Sequence, residues 1–554
     1  MILFNAKDDS FGTAAHTMLH SFAPFLAVIV LSFVLTPTRP AYAQFGFLYT
    51  WTNPVGGSYP VGSNWSPFGV PDASNEGADF NLNATYNVQL ADNYSVGTLN
   101  VSSGTVTFAF QPAGFLGSAY KYTTGGLNVI PGSGGSATLV VQDGDVAVSG
   151  STIVGDSGAA NLFLQGANLT SSTATLGISS GSAGNLSINP ISTWSSTASV
   201  VLGDSGQGQL DMTAGTHGSI IGGTFVAQST ATTAGATLGQ SLGGSGTANV
   251  AGFWSTGDLT VGNAGAGVIN LLGTTITFPF PLSSVGHLTS ANASIAAQPG
   301  SSGSVNVTAA VFSGLNLLAS DWNVTGSLAL GGTNNAAGGA GTLSIGPTNS
   351  VMVGSNLKVW AGGTIALTEH GILNVTGVAN LGGDLKFNLS ATPDPHAGNT
   401  FPILSATGGV SGTFAATMLP TLDPGLSWNV VYSATSVSLA VVSGVPGDFN
   451  ANGVVDAADY VAWRNNVGST TALPNDSIGG TIGPAQFNEW RSHFGQTSGS
   501  GSGTIAADGA AVPEPTAPLL LIAAVMCLFN SRRIRELSPS PLLSPKCRVA
   551  SMCD

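Results

Sequence analysis

Ile153-Val154-Gly155-Asp156-Ser157-Gly158, followed by Asn161-Leu162-Phe163-Leu164, is the stretch that decides the fold. The same grammar returns at Leu176-Gly177, Val201-Leu202-Gly203-Asp204-Ser205-Gly206, Leu238-Gly239 and Leu259-Thr260-Val261-Gly262. Around it run short segments that alternate apolar and polar residues, such as Thr98-Leu99-Asn100-Val101, Ala137-Thr138-Leu139-Val140-Val141 and Ser344-Ile345. Period-two alternation between turn residues marks β-strands. The intervals between the key glycines are 22, 26, 36 and 23 residues. Such uneven spacing suits a coil-like, Gly-rich β-solenoid with variable loops better than a propeller of fixed blades, with a β-sandwich array as the alternative. In a parallel β-helix-like coil, inward apolar residues stack on those above and below. Gly and Asn take the positive-φ corners, and Asn and Ser can ladder at the turns.

Composition narrows the class further. Only 7% of the 554 residues are charged, Gly supplies 77 of them, and the formal net charge is −14. A globular enzyme or a disordered tail carries far more charge, and an acidic chain lacks the Lys and Arg that replace phosphate counterions on nucleic acid. The three cysteines, Cys527, Cys547 and Cys553, all lie near the C-terminus, so the preceding chain must fold without disulfides. Acid–base sites need converging carboxylates or a basic partner. Between Gln44 and Pro446 there is no Arg; the only Lys are Lys121, Lys358 and Lys386, and the only Glu are Glu76 and Glu369. The Asp residues are thinly spread at turns, as at Asp156, Asp204 and Asp258, and Glu369-His370 reads as a solvated turn. The chain is therefore not expected to be an enzyme.

Both ends carry sorting features. An apolar run from Phe22 to Leu35 precedes Ala41-Tyr42-Ala43, a small-x-small cleavage site, so residues 1–43 read as a signal peptide and the mature chain begins near Gln44. At the other end, Val512-Pro513-Glu514-Pro515 is followed by an apolar run from Ala517 to Phe529 and by Arg532, Arg533 and Arg535. That order describes a short C-terminal transmembrane helix held by cytoplasmic arginines. Residues 498–511 form a Gly/Ser-rich linker before it, and residues 537–554 are a tail of unknown role.

A calcium-loop spacing lies between. Asp448, Asn450, Asn452, Asp456 and Asp459 put oxygen-bearing side chains at loop positions 1, 3, 5, 9 and 12, with Gly453 at position 6. Val454 would add its carbonyl oxygen, and Val455 would point into the core. A helix with Tyr460, Trp463, Arg464 and Val467 follows. A second copy stands 27 residues on, aligning Phe487, Trp490, Arg491 and Phe494 with those positions. Its loop, however, reads Asn475, Ser477, Gly479, Gly483 and Gln486 where the first has ligands. One bound Ca2+, in the first loop, is the expectation. Trp463 and Trp490 are expected in the core of the module rather than as exposed anchors.

The duplicated loop–helix of residues 444–497, with Asp459 closing the first loop, resembles the dockerin type I module. That resemblance implies a cohesin-like protein partner, or another surface component, docked through 444–497. The Pro-Glu-Pro, apolar run and arginine cluster of residues 512–536 resemble a PEP-CTERM sorting signal, which implies processing by an exosortase-type membrane protease. Trp51-Thr52-Asn53-Pro54, Gly56-Gly57, Asn64-Trp65-Ser66, Gly69-Val70-Pro71 and Ala78-Asp79-Phe80 resemble the opening of β repeats associated with PEP-CTERM sorting and type V secretion. Phe401-Pro402-Ile403-Leu404 through Val431-Tyr432 resembles their closing segment. The resemblance covers most of residues 44–442 and implies an exported cell-envelope, cell-surface or extracellular protein that is structural or adhesive and associated with extracellular polysaccharide. A carbohydrate-binding or carbohydrate-active component recruited through the module is the other reading.

Overall fold

The computed structural model describes residues 47–111, 120–218, 224–277, 281–313, 316–389, 395–423 and 426–497. The expected signal peptide, the Gly/Ser linker, the sorting signal with its transmembrane run, and the tail all lie outside the described residues. No helix among the described residues is long and apolar enough to cross a membrane.

Strands dominate residues 47–443, and most of them pair in parallel with a strand one repeat away. Ser136–Gln142 pairs with Ala159–Gln165, which pairs with Ala183–Ile188, and so on through a 14-stranded sheet. A second, 24-stranded sheet carries the rest of each repeat. The arrangement is mainly β with long parallel ladders, compatible with a β-solenoid. The three quoted alternating segments fall inside the strands Tyr94–Val101, Ser136–Gln142 and Ala340–Ile345.

Register explains the packing. Leu162, Leu186, Leu210, Ala248, Ile269, Val305, Leu343, Ile365 and Leu385 occupy one column, and all are buried. Fully burying one Leu or Ile is worth about 1.5–3 kcal/mol, so the column is a continuous seam rather than a set of separate cores. A parallel column alternates bulk: Trp194, Ala231, Trp254, Leu288, Trp322, Val351. Each indole N–H donates to a hydroxyl from the preceding repeat, Trp194 to Ser171, Trp254 to Thr233 and Trp322 to Ser290, at 3.1–3.4 Å. Buried Ser and Thr thus satisfy the one polar atom each large ring brings inside.

The key glycines do stand at corners. Gly155, Gly177, Gly203, Gly239 and Gly262 all have φ between 64° and 76°. A Cβ on Gly203 would lie 1.9 Å from the Ser245 carbonyl oxygen of the next repeat, so the corner needs glycine for room as well as for φ. The long 36-residue interval is explained by an antiparallel hairpin, Ala214–Gly218 with Thr224–Gln228, inserted within one repeat. Two further hairpins, Gly273–Thr277 with Pro281–Val285 and Ala310–Ser313 with Asn316–Ala319, lengthen the repeats beyond Gly262. Laddering occurs at the turns, where Ser179 donates to Asp156 and Asn263 to the Gln240 carbonyl, and also along strands: Asn249 donates to Asp211, Asn270 to Asn249 and Asn306 to Asn270, at 2.8–2.9 Å.

Both ends of the stack are closed. At the start, Phe47–Trp51 pairs antiparallel with Trp65–Ser66, and Trp51, Tyr59, Trp65, Phe80 and Phe108 form a chain of ring contacts. At the finish, parallel pairing gives way to an antiparallel run of Thr400–Ala406, Ser436–Ser443 and Leu426–Tyr432, with Phe387, Phe401 and Trp428 packed together. The helices α1 (Ala457–Asn466) and α2 (Pro484–His493) follow.

Candidate metal centre

The loop that precedes α1 is built by its own carboxylates. Asp448 accepts the backbone N–H groups of Asn452 (3.1 Å) and Gly453 (2.8 Å). Asp459 accepts those of Asn450 (3.0 Å) and Asp456 (2.7 Å). Ala451 and Gly453 adopt φ of 57° and 86°, which curls the backbone so that these N–H groups point inward. Asp456 caps α1 by accepting from the Ala458 N–H at 2.7 Å, an N-cap position that side-chain oxygens favour. Asn450 and Asn452 turn their oxygens to the N–H groups two residues on. Of the six expected ligand positions, Asp448, Asn450, Asn452, Val454, Asp456 and Asp459, the side chains of Asp448 and Asp459 are those brought together at the centre. Both residues are 0% exposed.

Electrostatics sharpen the picture. Burial pushes the Asp448 carboxyl above its ordinary value, and the neighbouring Asp459 carboxylate pushes the same way; the Gly453 and Asn452 N–H groups pull against them. The one acid–base contact of salt-bridge length among the described residues joins His287 to Asp321, far from this loop in sequence, so among those residues no basic side chain forms an ion pair with either acid. Two buried, adjacent, uncompensated carboxylates are a donor set for a hard cation, and the residues fit Ca2+ in their chemistry. No group of three or more His, Cys, Asp or Glu side chains clusters as a metal site among the described residues.

The second loop solves the same problem without acids at those positions. Where Asp459 ties two N–H groups, the work is divided: Gln486 Oε1 accepts from Gly483 N–H (2.9 Å), and Glu489 Oε1 accepts from Ser477 N–H (3.2 Å). Of the two positions whose N–H groups Asp448 ties, the first is matched by Gly479, whose N–H goes to Asp476 (3.0 Å), and Asp476 also accepts from Ile478 (2.9 Å). The Gln486 amide then donates inward to the Gly479 carbonyl (3.0 Å) and the Asp476 carboxylate (3.3 Å). A tethered amide donor therefore meets the loop's inward-facing oxygens. Asp476 and Glu489 were missed by reading positions 1, 3, 5, 9 and 12, since they sit at positions 2 and 15.

The two halves clasp reciprocally. Trp463 donates to the Gly483 carbonyl (2.9 Å) and Trp490 to the Asp456 carbonyl (2.7 Å). Gly468 N–H reaches Ile482, as Gly495 N–H reaches Val455, and both Val455 and Ile482 are buried. Tyr460 and Trp463 pack on Phe487 and Trp490 across the helices with tilted or edge-on rings, their centroids 5.0–6.1 Å apart. The two tryptophans are thus internal bonds of the helical pair, although each is only partly buried.

Elsewhere, Asp156 and Asp204 accept from Ser179 and Ser241 of the following repeats (2.8 and 2.7 Å), and Asp258 accepts from Asn292. These turn acids hold neighbouring repeats together. Glu369 is buried, so its turn is not a solvated one, while His370 is exposed with φ 69°. His287 and Asp321 meet on adjacent repeats, with the Phe253 ring stacked on His287 at 4.8 Å. Their separation of 34 residues hid the pair from a reading of local motifs. No protein-family model, curated protein or solved structure matches the chain.

Proposed function

We propose that this is an exported, cell-surface or extracellular-matrix protein with a structural or adhesive role. A parallel β-solenoid forms its body, and residues 444–497 form a dockerin-like docking module that binds one Ca2+. The observation that carries the calcium reading is the buried Asp448–Asp459 pair, held by four backbone N–H groups and with no ion-pair partner among the described residues. A bound Ca2+ would supply the missing positive charge and draw the remaining loop oxygens inward. Export rests on Ala41-Tyr42-Ala43 and on Val512-Pro513-Glu514-Pro515. An exosortase-type protease would act at the latter, and the module would engage a cohesin-like or other surface protein, with polysaccharide as a matrix partner.

Calorimetric titration of the full chain with Ca2+ tests the reading. A stoichiometry near one, abolished in the Asp448→Ala/Asp459→Ala variant, is expected. Absence of binding, or a stoichiometry near two, would overturn it.

A further inference from the structure

Asn475 stands where the second loop would carry its first calcium ligand, and it has been turned to another task. It is 6% exposed and sits at φ 51°, a left-handed conformation that Asn tolerates better than most residues. Its amide donates to the Asp448 carbonyl at 2.9 Å and reaches the Asp448 carboxylate at 3.3 Å. At 3.5 Å it also reaches the hydroxyl of Ser427, on the penultimate strand of the parallel stack's closing run, where Ser427 is itself buried. The connection between stack and helices is short: strand Ser436–Ser443 ends, and Gly444-Val445-Pro446-Gly447 leads directly to Asp448. Both glycines are close approaches. A Cβ on Gly444 would lie 1.8 Å from Asn475 Oδ1, and one on Gly447 would lie 2.8 Å from the Trp490 Cα. The amide of Asn475 thus touches the first loop and the stack at once.

We infer that Asn475 is a positioning residue that couples cation occupancy of the first loop to the seating of the helical pair on the end of the β stack. The inference rests on the calcium reading above. A cation at Asp448 fixes the carboxylate and carbonyl to which Asn475 donates, and Asn475 in turn holds Ser427 and the Gly444 turn. Release of the ion frees Asp448, and the junction opens with it. Bound ligand suppresses opening by its mass-action factor, so calcium at 100 times its dissociation constant slows cleavage of a linker that is cut only when open by up to about 100-fold.

The test combines limited proteolysis of the full chain, with cleavage at 443–447 scored by mass spectrometry, and calcium calorimetry on the same samples. The parent chain should bind calcium and lose most junction cleavage when it does. Asn475→Ala should leave binding within a few-fold while removing the calcium dependence of cleavage. Gly444→Ala crowds the Asn475 amide from the side of the stack while leaving every residue of both loops unsubstituted, and it should do the same. Cleavage that stays as calcium-dependent in Gly444→Ala as in the parent overturns the coupling, as does parent protein that binds calcium with no change in cleavage. Failure of the parent to bind calcium overturns the calcium reading itself, and the two failures are distinguishable because binding is measured independently.

Discussion

At the N-terminal end of the β stack, rings of Trp51, Tyr59, Trp65, Phe80 and Phe108 fill the first repeats, and all are buried. At the C-terminal end the last strands pass within four residues into a loop whose centre is two buried carboxylates. The first closure consists of neutral rings, and its indole N–H groups are satisfied internally: Trp51 by the Asn53 carbonyl (2.7 Å) and Trp65 by the Tyr59 carbonyl (2.9 Å). The second leaves charge that water cannot reach. Stability of the first end follows from burial and internal hydrogen bonds, whereas on the proposed reading that of the second end depends on a bound cation.

The largest effect that could break this contrast is at the aromatic end. Trp51→Ala removes a fully buried ring and should destabilise the first repeats by about 3–5 kcal/mol, with or without calcium. Hydrogen-exchange mass spectrometry reads each end separately, since repeat stacks open locally. Calcium-dependent protection around residues 47–110 would contradict the contrast. Next comes the acid loop. At free calcium a hundredfold above its dissociation constant, binding adds about 2.7 kcal/mol to the helical pair, and Asp448→Ala with Asp459→Ala should remove that gain. Exchange at residues 448–497 with and without chelator measures it.

The third effect separates the two loops of the helical pair. Gln486→Ala deletes an acceptor for Gly483 N–H and two donations to loop oxygens, leaving buried groups unpaired at about 1–3 kcal/mol. Because the amide acts in the second loop, the loss should be the same in calcium and in chelator. A calcium-dependent loss would show that the second loop also holds an ion.

How much of this was legible depended on whether the signal was local. Corners at Gly155, Gly177, Gly203, Gly239 and Gly262 announce themselves because a positive φ in tight quarters admits little else. The corner at Ala296, φ 58°, follows in the same register and was invisible, since alanine carries no such mark. A hairpin explains the longest of the quoted intervals, yet short runs such as Thr224–Gln228 carry no mark in the sequence that sets a hairpin strand apart from a ladder strand. The duplicated helix was readable as an ungapped offset. The second loop's substitutes were not, because Asp476 and Glu489 reach their N–H partners from positions that an alignment to the first loop assigns no role. The pairing of His287 with Asp321 and the indole–hydroxyl bonds arise only once the repeats are stacked.

The smallest effect returns to the aromatic end and concerns pH. Tyr59 donates its hydroxyl proton to the Pro71 carbonyl at 3.0 Å, which leaves its oxygen to accept from the Tyr122 hydroxyl, also 3.0 Å away. Burial raises both phenols well above the ordinary value of 10.0; for Tyr59 the neighbouring Tyr122 adds to the rise, and for Tyr122 the bond with Tyr59 partly offsets it. A phenol whose folded value exceeds its unfolded value keeps its proton longer in the folded state. Its contribution is fully present below the unfolded value and is lost as pH rises above it. Each such phenol contributes a slope of about 1.4 kcal/mol per pH unit in that alkaline window. Tyr59→Phe should therefore weaken the N-terminal repeats by about 1 kcal/mol at neutral pH, through the lost bond to Pro71, and reduce the alkaline slope by one proton. Tyrosinate absorbance followed together with circular dichroism checks this. In the parent chain the two signals should rise and fall together above about pH 10, and chelator should not shift them. Ionisation of these phenols without loss of structure would show that the aromatic end is open to water, and the contrast between the two ends would then fail at its neutral side.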